Sequence, residues 1–223
     1  MTQAIDAPFA HRAVSTPLAT RALLVAGAAA GPLFLGVGVI EGLTRNGFDF
    51  TRNAISQLSL GSPGWIQVVS FLLTGVLITA GAVGIRRAIG HTAGGTWAPR
   101  LIGVFGASFL LAGVFTADPG AGFPVGTPDG PATLSAHGSV HMLSGMVGYL
   151  ALCAALLVLA RHFAAHARRG WARTCRIVPV GILAGFAGSA TTVAAFTAGA
   201  GLGLLMLTAV IARLAGLTST SER

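Results

Sequence analysis

Two histidines four residues apart, His137 and His141, follow a proline- and glycine-rich segment that begins at Asp118. Residues four apart share one face of a helix, so both imidazoles can approach a single ion. A catalytic zinc ion usually has three protein ligands, drawn from cysteine, histidine and carboxylate side chains, and one bound water. The spacing therefore predicts a zinc site formed by Asp118, His137 and His141. The alternative is that the histidines are interfacial hydrogen-bonding residues and Asp118 is a helix cap or the ion-pair partner of Arg52.

A serine and a glutamate provide candidate groups for proton transfer beside these ligands. Ser56 lies in residues 51–61, where polar and apolar side chains would occupy different faces of a helix. This pattern predicts a short helix that lies over the bundle or at the membrane interface. A serine near histidine and aspartate has the residue types of nucleophilic catalysis. Glu41 directly follows an apolar run. Ser56 and Glu41 are therefore the predicted catalytic residues, while an ordinary interfacial helix remains the alternative for residues 51–61.

Composition places these residues in a membrane protein. Hydrophobic residues make up 53% of the 223 residues, charged residues only 9%, and the mean hydropathy is +0.78. Soluble domains contain roughly 25% charged residues. The net charge of +8 comes from arginines that flank apolar runs, which indicates membrane orientation rather than nucleic-acid binding.

Intervals without charge predict six membrane-spanning helices. A span needs about 20 apolar residues. Four intervals meet this need, at residues 22–40, 64–85, 101–117 and 137–160. Residues 177–212 carry no charge and are long enough for two short spans, with the turn predicted at residues 197–201. The fold class is thus predicted as an all-α polytopic bundle of six transmembrane helices.

Arginine placement predicts the orientation. With the amino terminus in the cytoplasm, only Arg45 and Arg52 lie outside, and the other arginines lie inside. Both termini are therefore predicted to be cytoplasmic, in a multi-pass protein of the cell membrane. The predicted organisation is a tail at residues 1–21, one transmembrane domain at residues 22–216 and a tail at residues 217–223. Gly181 and Gly185 have the spacing of close helix packing.

Three blocks of sequence, at residues 52–61, 113–119 and 137–141, together resemble a bacterial family of membrane proteins catalogued as domain of unknown function 998. The likeness covers roughly residues 33–213. It implies a multi-span helical membrane protein and brings no established activity. A looser likeness is to transmembrane hydrolases of the alkaline-ceramidase type, whose zinc site uses a serine, an aspartate, a separate histidine and a His-x-x-x-His pair. Ser56, Asp118, His137 and His141 match in residue type, and the separate histidine has no counterpart on the outer side.

The leading expectation is a small metal-dependent membrane enzyme, hydrolase-like, that acts on a lipid or amphiphile at the outer interface. Ionisable groups are costly in apolar surroundings and are often functional there. A bound zinc ion would lower the pKa of its water toward neutrality. The alternatives are a small-solute transporter, with hydroxyl residues such as Ser70 and Thr74 lining a path, and a non-catalytic membrane partner subunit. The sequence leaves the oligomeric state and the substrate open.

Overall fold

Six long helices make up the protein in the computed structural model, which describes residues 17–220. They are α1 (Pro17–Thr44), α2 (Trp65–Ile89), α3 (Trp97–Val114), α4 (Ala136–Ala165), α5 (Arg169–Gly188) and α6 (Val193–Thr220). Two short 3-10 helices, Ile55–Ser59 and Ser62–Gly64, lie between α1 and α2. The described residues contain no strand, which confirms the predicted all-α fold. Helix α1 begins inside the predicted amino-terminal tail, and residues 1–16 and 221–223 lie outside the described part.

Five of the six helices, α1 to α4 and α6, are long and apolar enough to cross a membrane. Helix α5 differs because Arg169, Arg173 and Arg176 occupy its first two turns. All three arginines are exposed. Long basic side chains at a helix end can reach the interface while the rest of the helix stays in hydrocarbon. The chain is therefore a multi-pass membrane protein.

The helices form a closed antiparallel ring. Each helix packs against the next one in sequence, and α6 packs against α1. Gly27 of α1 lies against Gly81 of α2, and Leu24 of α1 lies against Gly84 of α2, so α1 and α2 run antiparallel. The same relation holds between α1 and α6. Consequently Pro17 and Thr220 lie at the same end of the ring.

The predicted turn between the last two helices is wrong. The turn is at residues 189–192, and residues 197–201 are helical. At the observed turn, the hydroxyls of Ser189 and Thr191 donate to the last carbonyls of α5, and the Thr192 hydroxyl accepts the Ala194 N–H. Such side chains satisfy backbone groups that helix ends leave unpaired.

Glycine has a packing role within α6 rather than a turn role. A Cβ atom at Gly185 would lie 2.7 Å from Cα of Gly199, so these two glycines allow α5 and α6 to approach closely. The spacing in the sequence predicts a packing role for Gly185, which the structure confirms, whereas Gly199 was predicted to lie in a turn. Small residues serve both purposes, and only the neighbouring helix distinguishes them.

We call the end with loops 45–64 and 115–135 the outer end, and the opposite end the inner end. The described arginines at the inner end are Arg21, Arg86, Arg87, Arg100, Arg161, Arg168, Arg169, Arg173, Arg176 and Arg213. The outer end has Arg45 and Arg52. By the positive-inside rule, the prediction stays that the arginine-rich end faces the cytoplasm.

This orientation gives a direct prediction for topology reporters. We expect a reporter fused after Arg87 or Arg169 to be cytoplasmic, and one inserted at Gly126 to be accessible from outside. The measurement is paired alkaline phosphatase and fluorescent-protein activity at each position. An external signal after Arg169 would contradict the orientation, and it would place loops 45–64 and 115–135 in the cytoplasm.

Candidate functional site

The two outer loops are joined to each other by polar side chains. Asn53 donates through its amide to the carbonyl of Ala121, at 3.3 Å, and Gln57 donates to the carbonyls of Asp118 and Gly120 at 3.4 and 3.3 Å. Arg52 forms an exposed ion pair with Asp129 at 2.7 Å. The loops therefore form one cover over the outer end. Arg52 pairs with Asp129, not with Asp118.

Arg45 attaches this cover to α1. Its guanidinium donates to the carbonyls of Leu58 and Leu60, at 2.9 and 2.6 Å, and lies over the ring of Phe123 at 5.1 Å from the centroid. Both bonds hold the carboxyl-terminal end of the 3-10 helix that contains Ser56. Sequence reasoning missed the roles of Arg45, Asn53 and Gln57. The sequence contains a signal for these roles, since polar side chains clustered between two apolar runs indicate a loop that is held in place.

Asp118 stabilises the start of α4. Its carboxylate accepts the Ser135 N–H at 2.8 Å and the Ser135 hydroxyl at 2.6 Å. The same hydroxyl oxygen accepts the Gly138 N–H at 3.0 Å, so Ser135 is the N-cap residue of α4. The carboxylate also lies where the helix dipole favours negative charge. A Cβ atom at Gly138 would overlap the Asp118 carboxylate, so glycine leaves room for the carboxylate in this position.

We expect Asp118→Ala to lower the free energy of unfolding by about 1 kcal/mol, because it removes the hydrogen bonds that hold the cap residue Ser135. Hydrogen bonds from the Ser135 hydroxyl and then the Ser135 amide lower the pKa of Asp118. A lowered pKa stabilises the fold above the ordinary pKa, and this stabilisation is lost as the pH falls through the lowered value. The midpoint temperature of thermal unfolding in detergent should therefore be higher for the wild type than for Asp118→Ala at pH 7. This difference should become smaller at acidic pH.

Asp129→Ala is the matched control, because it removes an outer carboxylate from an exposed ion pair that is worth little. An equal loss of stability in both variants would contradict the capping role of Asp118.

His141 is held in one tautomer by the end of α3. The side chain is 9% exposed, and Nδ1 lies 2.8 Å from the carbonyl oxygen of Phe115 and 3.2 Å from that of Ala112. Carbonyl oxygens only accept hydrogen bonds, so Nδ1 carries the proton. In the neutral imidazole Nε2 is then the unprotonated nitrogen. Nε2 has no hydrogen-bond partner among the described residues, and it is therefore available as a base.

His137 has a different environment from His141, although the two are one helical turn apart. Its side chain is exposed and its ring lies against Phe115, with the centroids 5.2 Å apart. Both Asp118 oxygens accept hydrogen bonds from Ser135, and Nδ1 of His141 donates to backbone. Among residues 17–220, no three histidine, cysteine or acidic side chains are grouped as metal ligands. The zinc site remains a prediction, which elemental analysis of purified protein would test.

An apolar cavity connects Ser56 with His141. It lies inside the ring, has a volume of about 90 Å³, and is lined by residues of α1, α2, α3, α4, α6 and the first 3-10 helix. Ser56 and His141 lie at its outer end, and Tyr149 lines it two helical turns further in, about 12 Å along α4. A cavity this size corresponds to about three water molecules. It can admit a narrow apolar segment such as part of an acyl chain, but not a headgroup.

Glu41 is buried at the outer end of α1, outside this cavity lining. It is 5% exposed, and its nearest charged group is Nη1 of Arg45 at 3.8 Å. Its carboxylate oxygens have no hydrogen bond among the described residues. Because Arg45 holds the cover, Glu41 is placed to balance the charge of that arginine. Its predicted catalytic role remains a prediction.

A buried polar face on α2 lies level with Glu41. Gly27 of α1 lies against Gly81 of α2, and the two helices run antiparallel. Glu41 is 14 residues after Gly27, and Gln67 is 14 residues before Gly81. Glu41 and Gln67 therefore lie at the same depth in the ring. Gln67, Ser70 and Thr74 share one face of α2, and each is at most 3% exposed. Their side-chain polar atoms have no hydrogen-bond partner among the described residues. Ser70 and Thr74 were predicted from the sequence as polar residues of a path, whereas Gln67, a glutamine inside an apolar run, was not.

Comparison with known proteins identifies the family of the chain. Comparison with curated proteins and with solved structures gives no match. The family model described as protein of unknown function (DUF998) matches residues 28–220, which include α2 to α6, both outer loops and every candidate residue above. The chain therefore belongs to the DUF998 family of proteins of unknown function.

Proposed function

We propose that the protein is a hydrolase of the cell membrane that cleaves an ester or amide bond of an amphiphile at the outer interface. The observation that carries this proposal is the shared cavity of Ser56 and His141, residues 85 positions apart in the chain. Ser56 supplies a hydroxyl and His141 an unprotonated Nε2 held by the Phe115 carbonyl. A nucleophile and a base of fixed tautomer are the parts that acyl transfer requires.

The cavity supports an amphiphilic substrate. Its walls are apolar except at a few side chains, among them Ser56 and His141 at the outer end. An apolar segment of the substrate would enter the ring, while its polar part would stay near the outer loops. Such a pose places the bond between the two parts beside Ser56.

The reaction follows from these two residues. The Ser56 oxygen attacks the substrate carbonyl carbon, and the hydroxyl proton passes to Nε2 of His141. The bond to the alcohol or amine group then breaks, and this leaving group takes the proton from His141. Water, deprotonated by the same nitrogen, next attacks the acyl carbon. The bond from this carbon to the Ser56 oxygen breaks, the Ser56 oxygen takes the proton back from His141, and a carboxylic acid is released. The carbonyl of Phe115 keeps the imidazole in the required tautomer and partly balances its positive charge.

A fluorophosphonate probe tests the nucleophile without knowledge of the substrate. The serine oxygen would displace fluoride from phosphorus, so labelling reports an activated serine directly. We expect labelling of the wild type in membranes, with the modified peptide containing Ser56, and no labelling of Ser56→Ala. Ser139→Ala is the control, because Ser139 is exposed near the start of α4 and its hydroxyl donates to the Ser135 carbonyl.

A second measurement addresses turnover. Purified protein in vesicles is supplied with fluorogenic esters of increasing acyl length. We expect the rate of fluorophore release to depend on Ser56 and to increase with acyl length until the cavity is filled. Labelling at another residue, or release unchanged in Ser56→Ala, would contradict the hydrolase proposal.

The buried polar face of α2 is the feature that would favour a transporter instead. Gln67, Ser70 and Thr74 extend from the outer end toward the middle of the ring. Further inward, the buried residues of α2 include Ile78 and Ile85, which are apolar. A transport path would need polar groups near the midplane and beyond. The face is therefore better suited to bridging water near Glu41 than to transport.

A further inference from the structure

A cleft between α2 and α3 at the inner end combines arginines with an apolar wall. Its volume is about 440 Å³, and its lining includes Arg86, Arg87 and Arg100. Ala82 and Val83 form part of the wall toward the middle of the membrane. The cleft is on the opposite end of the ring from Ser56 and His141, so it is independent of the proposed hydrolase site.

One of the three arginines is already fixed in place. Arg86 donates through Nη1 to the carbonyl of Gly95 at 2.9 Å and to the Thr96 hydroxyl at 3.2 Å. These bonds hold the short connection from α2 to α3 and keep the cleft in shape. Arg100 lies against the ring of Trp97, at 5.4 Å, and Arg87 has no hydrogen bond or ion pair among the described residues. Two guanidinium groups are thus free to bind a ligand.

The described part of the protein provides no counter-charge at this end. The four described acids, Glu41, Asp49, Asp118 and Asp129, all belong to the outer end. The ion pairs of these acids are Glu41 with Arg45 and Asp129 with Arg52, and both arginines are also outer residues. Anions for the inner arginines must therefore come from outside the described residues. Arginine guanidinium groups bind phosphate oxygens in a bidentate manner.

We propose that this cleft binds the phosphate group of an anionic phospholipid in the inner leaflet. Arg87 and Arg100 bind the phosphate, Arg86 maintains the shape of the site, and the acyl chains run along the wall near Val83. The apolar wall favours a lipid over a free phosphate, because Val83 is 42% exposed beside the arginines and offers surface for an acyl chain. Trp97, 62% exposed at the start of α3, lies at the depth where tryptophan favours the interface.

Native mass spectrometry of the full chain in detergent tests this site. The probe is phosphatidylglycerol, compared with phosphatidylcholine of the same chain length and with inorganic phosphate. We expect Arg87→Gln/Arg100→Gln to weaken phosphatidylglycerol binding by about 30-fold, because each basic residue at an anionic membrane surface contributes about 1 kcal/mol. Arg168→Gln/Arg173→Gln removes the same charge from the inner end outside the cleft, and we expect it to change binding less than about twofold.

A further variant separates the apolar wall from the charges. Gly103 lines the cleft, and a Cβ atom there meets no atom within 4 Å, so Gly103→Phe should fold and obstruct the acyl chain. We expect weaker phosphatidylglycerol binding with all arginines intact. Equal losses in the two arginine pairs would show general charge attraction and overturn the site. Equal competition by inorganic phosphate, or unchanged binding in Gly103→Phe, would overturn the lipid as its ligand.

Discussion

Gly27→Leu should prevent α1 from packing on α2 and lower the free energy of unfolding by about 3 kcal/mol or more. A Cβ atom at Gly27 would lie 2.5 Å from Cα of Gly81 and 3.3 Å from a side-chain methyl of Ile211. The first obstacle is backbone, which cannot rotate away as a side chain can. The contact joins α1, α2 and α6, so its loss also opens the closure of the ring. Denaturant unfolding in detergent and the folded fraction on size exclusion would measure the effect.

Gly36→Leu is the control on the same helix, because a Cβ atom at Gly36 meets no atom within 4 Å. Leucine is a better helix former than glycine, so this variant should be at least as stable as the wild type. If the two variants lost equal stability, the close contact of α1 and α2 would not be the cause.

His141→Asn should reduce fluorophosphonate labelling and ester release by about 10² to 10⁴, the usual range for loss of a general base. The asparagine amide nitrogen occupies nearly the position of Nδ1 and can still donate to the Phe115 carbonyl. It has no group at the position of Nε2. The variant therefore separates the structural hydrogen bond from the base, and we expect its thermal stability to remain near that of the wild type.

His141→Gln reverses this arrangement. Its amide reaches the position of Nε2 but not that of Nδ1, so the carbonyl of Phe115 loses its side-chain donor. Leaving a buried carbonyl unpaired costs about 1–3 kcal/mol. We expect His141→Gln to be both inactive and less stable. Full activity in His141→Asn would show that His141 only joins α4 to α3, and the proposed base would have to be another group.

The first four helices could be predicted because charged residues mark their ends. Arg86 and Arg87 follow an apolar run, and Glu41 and Arg161 do the same elsewhere. Each observed helix extends beyond its predicted interval at one or both ends, and the third also ends earlier than predicted, at Val114. Burial of apolar side chains in hydrocarbon requires only composition and length, which a sequence contains directly.

The turn between the last helices could not be predicted from composition. Residues 177–212 contain glycines at both the predicted turn and the contact with the neighbouring helix. Gly199 allows close packing against Gly185, and this role depends on a helix that is distant in sequence. Residues 189–192 form the turn because the hydroxyls of Ser189, Thr191 and Thr192 can satisfy the helix ends.

The candidate site was predicted in its residue types, and the structure decided how those residues are arranged. Spacing alone places His137 and His141 on the same face of α4. The end of α3 buries only His141, while His137 remains exposed. Asp118 contacts Ser135, because the loop that it begins returns to the start of α4.

By itself, the sequence determined the membrane class, most of the helices and the outer-end location of the acids and of the histidine pair. These depend on hydropathy, charge and helical spacing, which are local properties. Only the tertiary structure decided that Ser56 and His141 share a cavity and that the inner arginines flank a cleft. Both arrangements depend on contacts between helices far apart in the chain, and packing of the closed ring determines which side chains meet.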